Sequence, residues 1–253
     1  MMKMMFYFGF FLLISACNES TTAENQTENS GEEKETVEAI AERYVTSTLK
    51  IPVNENFTFE ILKADLDGDA FEDAIITVNR LEFAKEEIAK KGKLDVLEKY
   101  GFMGTYNYLF YYDGAMHQIS PPIGIASSAV VPLKVSFEKI QSDAYFDVLV
   151  DYRIQNASYK NFYTIKNHAP KLVFQWKNFS NLGEANHEAY VFEYAPGTKS
   201  IAKDIRVLKA TFEDPKNNES IQTFEPKLVN TSTLAYRFFY DLEQGKYFTV
   251  ESK

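Results

Sequence analysis

The chain has a single cysteine, Cys17, in 253 residues, so a disulfide framework plays no part in its fold. Histidine is almost as scarce. His117, His168 and His187 are the whole supply, and none stands in an H-E-x-x-H spacing. G-x-S-x-G, G-x-G-x-x-G and P-loop patterns are missing too, which leaves zinc hydrolysis, nucleophile-elbow and nucleotide chemistry without their usual anchors. No spacing singles out a catalytic carboxylate pair. Lysine and arginine number 27 against 36 aspartates and glutamates, a net charge of -9 without any basic cluster. Such a surface suits neither nucleic acid nor an anionic lipid face, and it does suit a cation. The one tryptophan, Trp176 in "VFQWKNF", reads as a sheet position rather than a ligand platform.

What is present begins with residues 1–14, "MMKMMFYFGFFLLI", one lysine followed by an apolar run of about eleven residues. That is too short for a membrane span of roughly twenty and fits the core of an export signal. Directly after it stands "ISAC", residues 14–17. This resembles the lipobox of bacterial lipoproteins, an aliphatic residue, two small residues and the lipidated cysteine. The resemblance implies cleavage after residue 16 and attachment of diacylglycerol and palmitate to Cys17, which then opens the mature chain. Several acyl chains hold a protein on a membrane durably where one does not. Asn18 follows where an aspartate would favour inner-membrane retention, so the resemblance implies the outer membrane of a bacterial cell envelope.

Residues 17–36 continue as "CNESTTAENQTENSGEEKET", with six glutamates, one lysine and no large apolar side chain. Such a composition cannot offset the entropy of ordering, and we read a disordered acidic tether. As a flexible coil it reaches about 25 Å. Removing Lys3 with the leader leaves a charge of -10; the tether holds -5 of it and residues 37–253 the other -5.

Residues 37–253 are long enough for one substantial core. Val37, Ile40, Ala41, Tyr44 and Leu49 share a helical face, with Arg43 and the glutamates opposite. After Pro52 short alternating runs take over, among them "FTFEIL", "YNYLFYY", "KLVFQW", "AYVFEY" and "KYFTV", with turn signals at Asp113-Gly114, Pro196-Gly197 and Gln244-Gly245. The expectation is a mainly β fold, an antiparallel meander preceded by one helix. A weak repeat runs through it: Asp69 aligns with Asp143, Ala70 with Ala144, Phe71 with Tyr145, Asp73 with Asp147 and Ile75-Ile76 with Leu149-Val150. A third stretch repeats the hairpins without the acidic loop. The repeat predicts blade-like sheets laid side by side.

The sharpest signal is "KADLDGDAFEDAIITV", residues 63–78. Asp65, Asp67, Asp69 and Asp73, with the carbonyl of Phe71, occupy positions one, three, five, nine and seven of a loop that can converge on a hard cation, calcium before magnesium. An EF-hand needs Gly at position six, Glu at twelve and a helix beyond; here Ala70, Ile76 and a β-branched strand follow. The arrangement instead resembles the D-x-D-G-D-G-x-x-D calcium loop of FG-GAP and VCBS β-propeller blades. That resemblance implies a propeller-like architecture and a structural calcium on Asp65, Asp67, Asp69, Phe71 and Asp73. Ala70 departs from the usual glycine. In the second copy Lys139 and Gln141 replace Asp65 and Asp67, so that copy is expected to bind no metal.

The first repeat is longer than the second, and the excess is residues 80–102, "RLEFAKEEIAKKGKLDVLEKYGF", helical turns broken at Gly92. An insertion on a rigid sheet is where recognition surfaces are commonly built, and it is equally where an edge is covered. Function is expected to be that of a non-catalytic binding or structural module on the envelope, with an unidentified protein or glycan partner and no nucleic acid. The alternative is an envelope hydrolase with a carboxylate-based site.

Overall fold

The computed structural model describes residues 35–92, 95, 99–216 and 218–249. The expected leader, Cys17 and nearly all of the tether lie outside the described residues, as do Leu94 and Leu97 of the insertion. Among the described residues no helix is long and apolar enough to cross a membrane.

Helix α1 (Val37–Thr48) starts where the Thr36 hydroxyl accepts the Ala39 N–H at 3.2 Å, an N-cap with Glu38 in the first turn. It stops before Pro52, which cannot continue a helix. Ala41 and Val45 drive its buried stripe onto the first sheet, against Ile76, Val78 and Phe110. That sheet holds β1 (Thr58–Ala64), β2 (Asp73–Asn79) and β3 (Met103–Asp113), with β4 (Gln118–Ile119) and β5 (Ile123–Ser128) both pairing with β3. β2 is buried along its whole length because both of its faces are covered. Ala74, Ile76 and Val78 face the helix; Ile75 faces the second sheet with Leu66, Leu109 and Tyr111.

The second sheet runs in unbroken chain order through β6 (Lys134–Glu138), β7 (Asp147–Ile154), β8 (Ala157–Lys166), β9 (Ala169–Ser180), β10 (Glu188–Ala195), β11 (Asp204–Thr211), β12 (Val229–Asp241) and β13 (Lys246–Phe248). All pairings are antiparallel, so the mainly β meander is the observed fold. β9 and β10 share only Glu188↔Ser180 and Ala189↔Phe179, whereas β8 and β9 pair along most of their length. The sheet therefore bends there into two four-stranded halves. Val148, Val150 and Tyr152 turn one face of β7 to the first sheet, while Leu149, Phe162 and Phe174 turn the other to Tyr190, Ile205, Val207 and Phe238. Each fully buried side chain of this kind contributes roughly 1.5–3 kcal/mol. Trp176 lies in this aromatic layer, 5.0 Å from Tyr236 and 5.1 Å from Phe238 between ring centroids. The layers form a stack of antiparallel sheets that does not close into a barrel among the described residues.

The insertion forms α2 (Leu81–Lys90), which ends at a turn with Gly92 at φ +64°, a conformation open to glycine. Ala84 and Ile88 are buried against Phe102 and Ala129, so α2 covers part of the β3–β5 pair. Arg80, at its start, donates Nε to Glu55 Oε1 at 2.6 Å and Nη2 to Oε2 at 2.5 Å. Both side chains are under 10 % exposed, at 7 % and 6 %.

Candidate metal centre

Residues 65–72 join β1 to β2, and their shape is set by aspartates bonding to nearby backbone. Asp65 Oδ1 accepts the Gly68 N–H at 2.8 Å, Asp67 Oδ1 that of Asp69 at 3.1 Å, and Asp69 Oδ1 that of Phe71 at 2.8 Å. The chain twists through left-handed conformations at Gly68, φ +87°, and Ala70, φ +67°. Glycine accepts that freely; alanine stores about 1–2 kcal/mol there. Asp73 is fully buried and ties the start of the loop to the β3–β4 turn, accepting the Leu66 N–H at 3.0 Å on Oδ2 and the Gly114 N–H at 2.9 Å on Oδ1.

The fold gathers Asp65, Asp67 and Asp73 so that one carboxylate oxygen from each lies within 4.8 Å of the others. Asp69 is not in this group, and the Phe71 side chain is largely exposed. Two residues that the sequence does not mark as ligands form a neighbouring group. Asp113 and His168 form a second triad with Asp67, also within 4.8 Å. Asp113 is the last residue of β3, and its Oδ1 accepts the Met116 N–H at 2.7 Å. His168 projects from the β8–β9 turn. The buried Tyr111 hydroxyl donates to Asp67 Oδ2 at 3.4 Å. Burial, then the Asp73 charge, raises the Asp67 carboxyl above its ordinary value; burial does the same to Asp73, only partly offset by the two backbone N–H bonds. Tyr111 is held protonated, chiefly by burial and next by the neighbouring aspartates.

Two sister loops make the first one legible. The strand partners Ala64↔Asp73, Glu138↔Asp147 and Ala195↔Asp204 enclose connections of equal length. Each connection ends in an aspartate that is at most 1 % exposed. Asp147 Oδ2 accepts the Ile140 and Gln141 N–H groups, and Asp204 accepts the Thr198 N–H. The third copy thus keeps the buried aspartate that the sequence reading assigned only to the first two. Consecutive loops are also bonded to one another, Phe146 N–H to the Asp65 carbonyl at 3.1 Å and Lys203 N–H to that of Ile140 at 2.8 Å.

The sisters differ from the first loop in charge. In the second, Lys203 Nζ lies 3.2 Å from Asp143 Oδ1 and donates to the Lys139 carbonyl at 2.6 Å, while Lys139 Nζ donates to the Asp143 carbonyl. In the third, Arg237 donates Nε and Nη2 to Asp204 Oδ2 at 3.0 and 2.7 Å. Among the described residues no lysine or arginine is paired with Asp65, Asp67, Asp69 or Asp73. Three convergent oxygens from hard carboxylates fit calcium chemistry, and Asp67 is shared between this group and the one with Asp113 and His168. No protein-family model, curated protein or solved structure matches the chain.

Proposed function

We propose that the chain is a lipid-anchored protein of the bacterial cell envelope, placed at the outer membrane. Its β domain is a binding or structural module rather than an enzyme, and one calcium ion tightens the loop between β1 and β2. The "ISAC" stretch ending in the lone Cys17 supports the anchor. The observation that carries the metal is the contrast among the three loops: the second and third hold a lysine or arginine beside their aspartates, and the first has three converging carboxylates without one.

Asp65, Asp67 and Asp73 would hold the ion, which would neutralise their mutual repulsion and fix the loop on which the β1–β2 and β3–β4 turns meet. No reaction step is assigned to it. Thermal melting with calcium and with a chelator tests this, since a ligand at 100 times its dissociation constant adds about 2.7 kcal/mol. We expect a higher melting temperature with calcium and none of that gain in Asp67→Ala. Equal melting curves for the unmodified chain would retire the metal. Labelled palmitate incorporated by the intact chain and not by Cys17→Ser tests the anchor separately.

A further inference from the structure

The parting of β9 from β10 opens a cavity of about 450 Å³, within the size range of small-molecule sites. Its floor is the polar end of the β7–β8–β9 face. There Asp151 accepts from Lys160 Nζ on Oδ2 and from Asn178 Nδ2 on Oδ1, both at 2.7 Å, and Asn178 also donates to the Ser158 hydroxyl at 3.0 Å. The facing wall is aromatic, because Tyr190, Phe192 and Tyr194 alternate onto one side of β10. The segment between β11 and β12 borders the mouth. Arg153 fastens it by donating to the carbonyls of Ile221 at 2.8 Å and Phe224 at 3.1 Å, and Glu225 pairs with Lys134 at the rim.

Charge decides what fits. Lys134, Arg153 and Lys160 line the cavity against Glu138, Asp151 and Glu225, so the lining is neutral overall. Lys134 and Lys160 already face carboxylates and both Arg153 Nη atoms face backbone carbonyls; Arg153 Nε has no partner but is buried, so no accessible, unpaired positive group is offered to a phosphate or carboxylate ligand. An acyl chain would strip water from Asp151, Lys160 and Asn178 without replacing their hydrogen bonds. A ligand with an apolar ring face and hydroxyls on its edge satisfies both walls at once. We propose that this cavity binds a neutral saccharide of one or two rings, its hydroxyls on Asp151, Asn178 and Lys160 and a ring face against the β10 aromatics. The proposal deepens the binding-module reading and rests on it.

The test uses the full chain on an array of neutral and anionic oligosaccharides, followed by titration of the neutral hits against Trp176 emission. Trp176 is the only tryptophan, and its ring centroid is 6.3 Å from that of Tyr190, so a ligand on the β10 wall perturbs it. Saturable binding of a neutral sugar is expected, weakened at least tenfold in Asp151→Asn and in Asn178→Ala, each with an unchanged circular-dichroism spectrum. If one variant fails to fold, the other carries the result, and Lys160→Met replaces the lost one. An array without a neutral hit, binding of anionic sugars alone, or neutral binding that survives in the folded variants would overturn the assignment. Cleavage of the bound sugar would instead sink the non-catalytic reading and leave the cavity in place. The calcium melting experiment is independent of both.

Discussion

Nδ1 of His168 lies 2.6 Å from Oδ2 of Asp113, which ties the β8–β9 turn of the second sheet to the end of β3 in the first. The two partners are unequal: His168 is well exposed, while the Asp113 side chain is 3 % exposed and also accepts the Met116 N–H. Removing Asp113 strands a turn donor, and removing His168 costs only a solvent-facing contact. Asp113→Ala should therefore destabilise by about 1–3 kcal/mol and His168→Ala by less than about 1 kcal/mol. Urea denaturation of the two variants checks the order, and equal losses would mean that the inter-sheet contact, not the turn, is what Asp113 supports.

The three-loop comparison predicts that a built-in cation can replace the ion. Lys139 occupies in the second loop the place that Asp65 holds in the first. In Asp65→Lys the new ammonium should relieve repulsion among Asp67, Asp69 and Asp73, raising the melting temperature in chelator above that of the unmodified chain. The calcium response should vanish. A variant that still gains stability from calcium would show that Asp65 is not a ligand.

The same reasoning run backwards applies to the third loop. Asp204 is 1 % exposed at its side chain and Arg237 37 %. Arg237→Gln leaves a buried carboxylate with the Thr198 N–H and hydroxyl alone. Because the arginine is partly solvated, the loss should be at the lower end for a broken ion pair, about 1–3 kcal/mol. Chemical denaturation measures it, and a neutral result would mean that Thr198 suffices.

Arg80 and Glu55 offer a contrast, since both are buried. Arg80→Met should cost about 3–5 kcal/mol because it strands Glu55, and Arg80→Met combined with Glu55→Met should recover much of that loss. A double-mutant cycle reads the coupling directly. Additive losses would assign the effect to the Arg80 guanidinium over Phe83, whose ring centre is 4.1 Å away.

Local patterns in the sequence carried the strands, α1, the break at Gly92 and the convergence of Asp65, Asp67 and Asp73. All of these depend on neighbours in the chain. In the sequence Asp113 marks a turn and His168 is one of three scattered histidines, because what makes them part of the site is the stacking of two sheets, a contact that no local spacing encodes. Asp204 is different. Its loop has the length of the other two, and "AKDIRVLKA" carries the same aspartate followed by an alternating apolar strand as "FEDAIITV". The signal is present in the sequence but masked, because residues 196–203 carry none of the acidic residues that mark the first loop, only the one aspartate that the fold keeps. The cavity was invisible in the sequence, since it exists only where β9 and β10 part.

Asp147 makes that retained aspartate measurable by pH. Burial pushes its carboxyl up to about 6, against which the Gln141 and Ile140 N–H groups, the Thr164 hydroxyl and the charge of Lys166 pull in the other direction without prevailing. Tyr145, Tyr194 and Tyr247 are further titratable neighbours, each raised by burial and also by this carboxylate. A carboxyl whose folded value lies above its unfolded value of about 3.9 binds its proton more tightly in the native state. Its contribution to stability is therefore complete below about pH 4 and is lost as pH rises through about 6, a change on the order of 3 kcal/mol. Asp67 and Asp73 are raised too, so the whole-protein profile mixes several groups. Subtracting the stability of Asp147→Asn, in which those groups persist and only this one no longer titrates, isolates the Asp147 share. The difference between unmodified chain and variant should fall steadily between pH 4 and pH 7 in urea denaturation with chelator present. A flat difference would place the Asp147 proton outside that range and show that its backbone donors outweigh its burial.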